Sequence, residues 1–157
     1  MKLFQTIADA IIQRAMRTPY RHLPGYMNRY WLLPYNRFGL AARVHEILRS
    51  DSDRVFHDHP WPYVTVILRG GYCEVRPLFD SSGICAGETR CWHGAGSVLI
   101  RSAKSWHRLE VPEGQSAWTL FISGPYRQRW GFMLNPHNKV YWREYLDDYE
   151  SEGTPGT

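Results

Sequence analysis

A chain of 157 residues, 43% hydrophobic and 22% charged, is long enough to fold as one domain around a buried core. Its net charge of +4 is spread along the chain rather than gathered into a stripe, which argues against a nucleic-acid partner. Three cysteines, an odd number, argue against a disulfide framework, and no run of about eighteen apolar residues argues for a membrane span, so a soluble, cytoplasmic protein is expected.

Leu3, Phe4, Ile7, Ala8, Ile11, Ile12, Ala15 and Met16 recur at the three-to-four spacing of an amphipathic helix, which Thr18-Pro19 should end. Gln5, Thr6 and Asp9 interrupt this run, so it is not a signal-peptide core. Residues 18–38 mix Pro19, Pro24, Gly25 and Pro34 with Tyr20, Tyr26, Tyr30, Trp31 and Tyr35. They read as an irregular aromatic arm with one short strand at 29–33, packed over a barrel mouth.

From residue 38 the pattern changes to strands. Residues 40–49 alternate loosely, and 63–69 and 71–76 are strand runs hinged at Gly70-Gly71, a hairpin signal. Residues 80–88 read as a loop. Strands follow at 89–93, 96–101, 106–111 and 117–123, separated by Gly- and Pro-containing turns. Such spacing indicates an all-β sandwich or barrel. The run 141–146 fits a strand end or a short helix, and 147–157, acidic and then rich in Ser, Gly, Thr and Pro, fits a disordered tail. The expected division is therefore an arm over 1–37, a barrel over 38–146 and a tail over 147–157.

The chemistry concentrates in histidines. His57 and His59 precede the strand at 63–69, and alternation along an extended backbone would point both to one side. His107 ends a later strand run. Three imidazoles brought together would bind a divalent metal, though imidazole suits Fe, Zn, Cu and Ni alike.

The spacing of these residues resembles the cupin superfamily over roughly residues 38–123. The first cupin motif is Gly, five residues, His-x-His, three or four residues, Glu, six residues, Gly. Here His57, His59 and Gly70-Gly71 match, Asp51 stands for the opening Gly, and Tyr63 or Val64 stands where the Glu belongs. In the second motif Gly96 and His107 match, while Ser102, Lys104 and Val111 replace its Pro, Gly and Asn. The resemblance implies a double-stranded β-helix, or jelly-roll barrel, with an N-terminal helix and with His57, His59 and His107 as metal ligands. Losing the Glu leaves a three-His site, similar to those of thiol and diketone-cleaving dioxygenases. That implies Fe(II), with Zn, Mn or Ni as alternatives, and a mononuclear non-haem iron oxygenase acting on a small molecule. A Zn, Mn or Ni isomerase, lyase or hydrolase and a non-catalytic binding or structural cupin, homodimeric through barrel edges and the N-terminal helix, are the rival expectations.

Around the trio, Tyr63 could act on substrate or metal through its phenol, and His45 could serve as a general base. Trp61 and Trp106 would shape the pocket. The basic residues are mostly Arg, since lysine occurs only at 2, 104 and 139. Arg forks suit an anionic substrate, and Arg69, Arg101, Arg127 and Arg129 are candidates, with Arg127 or Arg129 favoured. Glu74 could supply the missing carboxylate or pair with Arg76 or Arg69. Asp58 should point away from its flanking histidines and orient loop backbone. Cys85, Cys91 and His93 match no zinc spacing and read as two free thiols and a histidine.

Overall fold

The computed structural model describes residues 2–51, 55–135 and 138–144. The expected tail, and the far end of the 141–146 run, lie outside the described residues.

Helix α1, Lys2–Ala15, forms where the apolar spacing predicts it. It buries Ala8, Ile12 and Ala15 on one stripe, and the Thr18 hydroxyl caps the Ala15 carbonyl at 2.9 Å. Strands β1 (Met27–Leu33) and β2 (Ala41–Ile47) follow, then a short β3 (Phe56–His57) and β4 (Tyr63–Arg69). Next come β5 (Gly71–Phe79), β6 (Cys85–Gly94), β7 (Val98–Arg101), β8 (Arg108–Glu110) and β9 (Ala117–Ser123). The hairpin β10 (Gly131–Asn135) and β11 (Asn138–Tyr141) closes the described fold.

The strands form three sheets: five-stranded β1-β2-β9-β4-β7, three-stranded β6-β5-β8, and three-stranded β11-β10-β3. They surround one interior but are not joined into a single closed ladder. The arm is part of this architecture, because β1 is the edge strand paired with β2.

Residues 85–88, expected as part of a loop, belong to β6, and the hairpin expectation is overturned as well. The Gly70-Gly71 hinge does not make a hairpin: β4 pairs with β7 and β9, whereas β5 pairs with β6 and β8. Gly70 has a φ of 69°, and a Cβ there would lie 2.2 Å from the Ser116 carbonyl oxygen. The glycine therefore serves a sharp crossover from one sheet to the other, packed against the loop before β9. Composition alone does not distinguish that crossover from a hairpin turn.

Strict alternation divides the large sheet into two faces. Outward, Tyr30, Val44, Leu68 and Trp118 pack under α1. Inward, β2 presents Arg43, His45 and Ile47, β4 presents Tyr63, Thr65 and Ile67, and β9 presents Ala117, Thr119, Phe121 and Ser123, as the register requires. At one end of this interior Ile47, Ile67, Tyr72, Leu99, Leu109, Val111 and Ala117 close a dry apolar plug. The polar inward residues lie towards the other end.

Candidate metal centre

The three histidines meet because of backbone pairing. His57 and His107 exchange two backbone hydrogen bonds, N–H to carbonyl at 2.9 and 3.0 Å. Such reciprocal antiparallel partners carry their side chains on the same side. On its other edge β3 pairs with β10, with Phe132 opposite His57. His59 follows in the loop, where its N–H donates to the Ala103 carbonyl at 3.2 Å. Imidazole nitrogens of the three lie within 4.8 Å of one another.

Asp58 explains why that loop holds its shape. Its carboxylate is buried and accepts from the Gly131 N–H at 2.9 Å, from Gln128 Nε2 at 2.7 Å and from Lys139 Nζ at 2.6 Å. It thus faces away from the trio and ties the loop to the β10–β11 hairpin, as the alternation argument requires.

The donor set fits a metal ion. His59 Nε2 and His107 Nε2 are 2.9 Å apart, close to the spacing of about 3 Å that two imidazole nitrogens at metal–ligand distance of about 2.1 Å adopt at right angles. Behind two of the rings stand carboxylates. His107 Nδ1 is 3.1 Å from Glu74 Oε1, and His57 Nδ1 is 3.7 Å from Asp51 Oδ2. At hydrogen-bond distance, as behind His107, such a carboxylate fixes the imidazole's tautomer and turns Nε2 towards the site. Burial disfavours charge on His59, and protonated neighbours would add repulsion, so its pKa is held well below the usual histidine value. A neutral imidazole is the form that ligates.

Glu74 therefore neither joins the trio nor pairs with Arg76 or Arg69. It is 2% exposed, and Arg101 grips both its oxygens, with Nε to Oε1 at 3.0 Å and Nη2 to Oε2. Burial alone would raise its pKa, but the hydrogen bonds with His107 and Arg101 outweigh that and hold the carboxyl ionised far below the usual range. Asp51, at the position of the first motif's opening Gly, accepts from the Leu109 N–H at 2.7 Å and from the Tyr26 hydroxyl.

Tyr63 is buried, with its hydroxyl 3.3 Å from His107 Nε2 and its ring stacked on Phe121 at 4.8 Å. Burial, then the Glu74 charge, pushes its pKa well up, so the phenol stays protonated. His45 stacks on the same Phe121 at 5.2 Å. Burial, then Arg43 and Arg29, push its pKa down to about 3, which makes it neutral and a weak proton acceptor at neutral pH. Trp61 meets Phe121 edge-on at 6.3 Å, while Trp106 lies beneath Lys139, whose Nζ is 5.6 Å from the ring centre.

The expected anion-gripping arginines are engaged or outside. Arg69 pairs with Asp9 at 2.5 Å on the surface, and Arg101 is committed to Glu74. The Arg127 side chain is exposed, and Arg129 stacks on Tyr141 at 3.9 Å. The buried arginine beside the site is Arg43, 5% exposed, which the sequence reading did not single out. Its signal was present: Arg43 and His45 alternate with Val44, so both share a face with buried Ile47.

No family model matches the chain, and no curated protein matches it. Solved structures share its shape. The polyketide cyclase RemF from Streptomyces resistomycificus is 17% identical, with 87% of this chain covering 85% of that one at a TM-score of 0.52. An RmlC-like cupin protein from Ralstonia eutropha JMP134 is 14% identical, with 86% covering 79% at 0.51. The fold is that of a cupin. Fe(II)-HppE with the alternative substrate (S)-1-HPP is 13% identical, with 68% of this chain covering 54% of that one at 0.50. The chain thus spans about half the length of that protein. At these identities the likeness establishes the fold, and the three-His cluster adds a donor set suited to a divalent metal. Among the described residues no helix is long and apolar enough to cross a membrane.

Proposed function

We propose that this cupin is a metal-dependent enzyme, specifically a mononuclear non-haem iron oxygenase acting on a small anionic molecule. The observation that carries the reading is the donor set: three clustered imidazoles, with the nearby carboxylate of Glu74 turned behind His107 instead of towards the cluster. Three neutral ligands leave a divalent ion its full charge and open positions. The iron in the name of Fe(II)-HppE supports this choice of metal. Zn, Mn or Ni on the same donors would instead supply Lewis-acid chemistry.

His57, His59 and His107 would hold the ion, and bound ferrous iron would supply redox chemistry with O2. The protein's own residues do the rest. Glu74 and Asp51 orient two of the rings. Phe132 and Phe121 set apolar rings against His57 and His59, and Trp61 packs on Phe121 behind them. The protonated Tyr63 hydroxyl, at 3.3 Å from His107 Nε2, is placed to donate to a bound small molecule.

Elemental analysis of protein purified without added metal tests this. Stoichiometric iron that disappears in His107→Ala, together with O2 uptake on adding ferrous iron and substrate, is the expected result. No metal uptake even after anaerobic loading with ferrous iron would sink the proposal.

A further inference from the structure

We propose that Arg43 is the anchor for a carboxylate on the small molecule that this site takes, an inference that rests on reading the trio as the place where a small molecule is processed. Arg43 lies on the inward face of β2, two residues from His45 and opposite Phe121 of β9. Phe121 is the floor shared by His45, His59, Trp61 and Tyr63, with ring centres 4.8 to 6.3 Å from its own. The guanidinium therefore stands one ring, Trp61, away from the Phe121 side chain that packs against His59.

Its surroundings are unusual for a buried cation. Trp31, Tyr35 and Trp61 surround it at 4.8, 5.1 and 4.9 Å, and Tyr35 Oη accepts from Nη2 at 2.5 Å. Among the described residues no carboxylate forms an ion pair with it, and its Nε has no hydrogen-bond partner. Among the described residues every other strongly buried Asp, Glu or Arg has an opposite charge in contact: Asp58 has Lys139, Glu74 has Arg101, and Arg108, whose Nε also lacks a partner, has Glu88 on both its Nη groups. Aromatic rings contribute through their faces but do not satisfy N–H donors. Two further inward polar atoms lack partners, His45 Nε2 and Ser123 Oγ, and the register places both residues on the face that carries Arg43. A planar guanidinium caged by rings presents a flat fork, which a carboxylate matches with two parallel hydrogen bonds.

A groove reaches the outer rings of this cage. Its volume is about 820 Å³, and it has Tyr35, Trp61, Tyr126, Trp130, Trp142 and Arg129 among its walls. Two of those walls, Tyr35 and Trp61, are also rings of the Arg43 cage, and Trp61 touches Phe121. The groove thus borders the Arg43 cage and, through Trp61, the floor of the metal site.

The test is NMR titration of the ¹⁵N-labelled full chain, read at the indole N–H groups of Trp31 and Trp61. Acetate, propionate and benzoate are compared with acetamide, propionamide and benzamide, and with inorganic phosphate. At least one carboxylate is expected to give saturable shifts at both indoles, with its amide binding about tenfold or more weakly. Arg43→Lys should weaken the carboxylate about tenfold, because a point charge cannot reproduce the fork, while Arg14→Gln on exposed α1 changes nothing. Absence of saturable carboxylate shifts at these indoles, equal binding of the amides, or binding only by phosphate overturns the assignment. So does unchanged affinity in Arg43→Lys; if that variant does not fold, the contrast between acid and amide in the wild type decides. His107→Ala should keep carboxylate binding, and its loss there would place the anion on the trio and not on Arg43. Carboxylate binding without metal uptake would defeat only the oxygenase reading, and metal uptake without carboxylate binding only this one.

Discussion

The two ends of the interior are built from the same strands and the same face. On β2 the inward series runs Ile47, His45, Arg43; on β4 it runs Ile67, Thr65, Tyr63; on β9 it runs Ala117, Thr119, Phe121, Ser123. Within two or three alternate positions the interior passes from an apolar plug to a cluster of titratable side chains. The plug needs no partners beyond close packing. The polar end needs a partner for every buried donor and acceptor, and it has them for the Glu74 carboxylate but lacks them for Arg43 Nε, His45 Nε2 and Ser123 Oγ. The plug is satisfied by packing alone, whereas the polar end leaves buried polar atoms open to a partner from outside the chain.

The largest expected effect tests the plug. Ile67 is fully buried there, and Ile67→Ala should cost about 2–5 kcal/mol through lost burial and the cavity left behind. Urea denaturation measures that cost, and metal content per folded molecule should be unchanged. A variant that kept its stability but lost metal would break the division between the two ends.

Next is the support behind the trio. Glu74→Gln keeps a hydrogen-bond acceptor near His107 but removes the charge that both His107 and Arg101 engage. Metal affinity should fall by about 10- to 100-fold, the usual cost of losing such support. Competition with a chelator measures it. The same variant should also lose stability, because it leaves the half-buried Arg101 without its carboxylate. Unchanged metal affinity would mean that Glu74 serves folding alone.

Much of this was legible in the sequence. Helix α1, most strands and the pairing of His57 and His59 on one side follow from periodicity, because alternation is a local property of the backbone. Asp58 follows for the same reason. The role of Glu74 was not legible: it depends on β5 lying beside β8, a long-range pairing that puts Glu74 opposite Leu109. The Gly70-Gly71 crossover was misread because a turn and a crossover need the same φ. Which candidate arginine faces a site was not legible either: Arg69 turns to Asp9, Arg101 to Glu74 and Arg129 to Tyr141, partners that only the fold brings near. Asp51 was visible only as a departure from the first motif, and its contact with His57 requires the tertiary fold.

The smallest effect separates two arginines of the same sheet. Arg69 faces out, its side chain 54% exposed, and pairs with an equally exposed Asp9 on α1. Water screens such a pair, so a double-mutant cycle of Asp9→Ala and Arg69→Ala should return a coupling of about 0–1 kcal/mol that shrinks with added salt. Neither change should alter metal content. Arg43 faces in and has aromatic rings in place of a counter-charge, so added salt cannot screen it in the same way. A large, salt-resistant coupling at Asp9–Arg69 would mean that the outer face carries a structured ionic site of its own. The contrast between a merely solvated arginine and a poised one would then have to be drawn elsewhere.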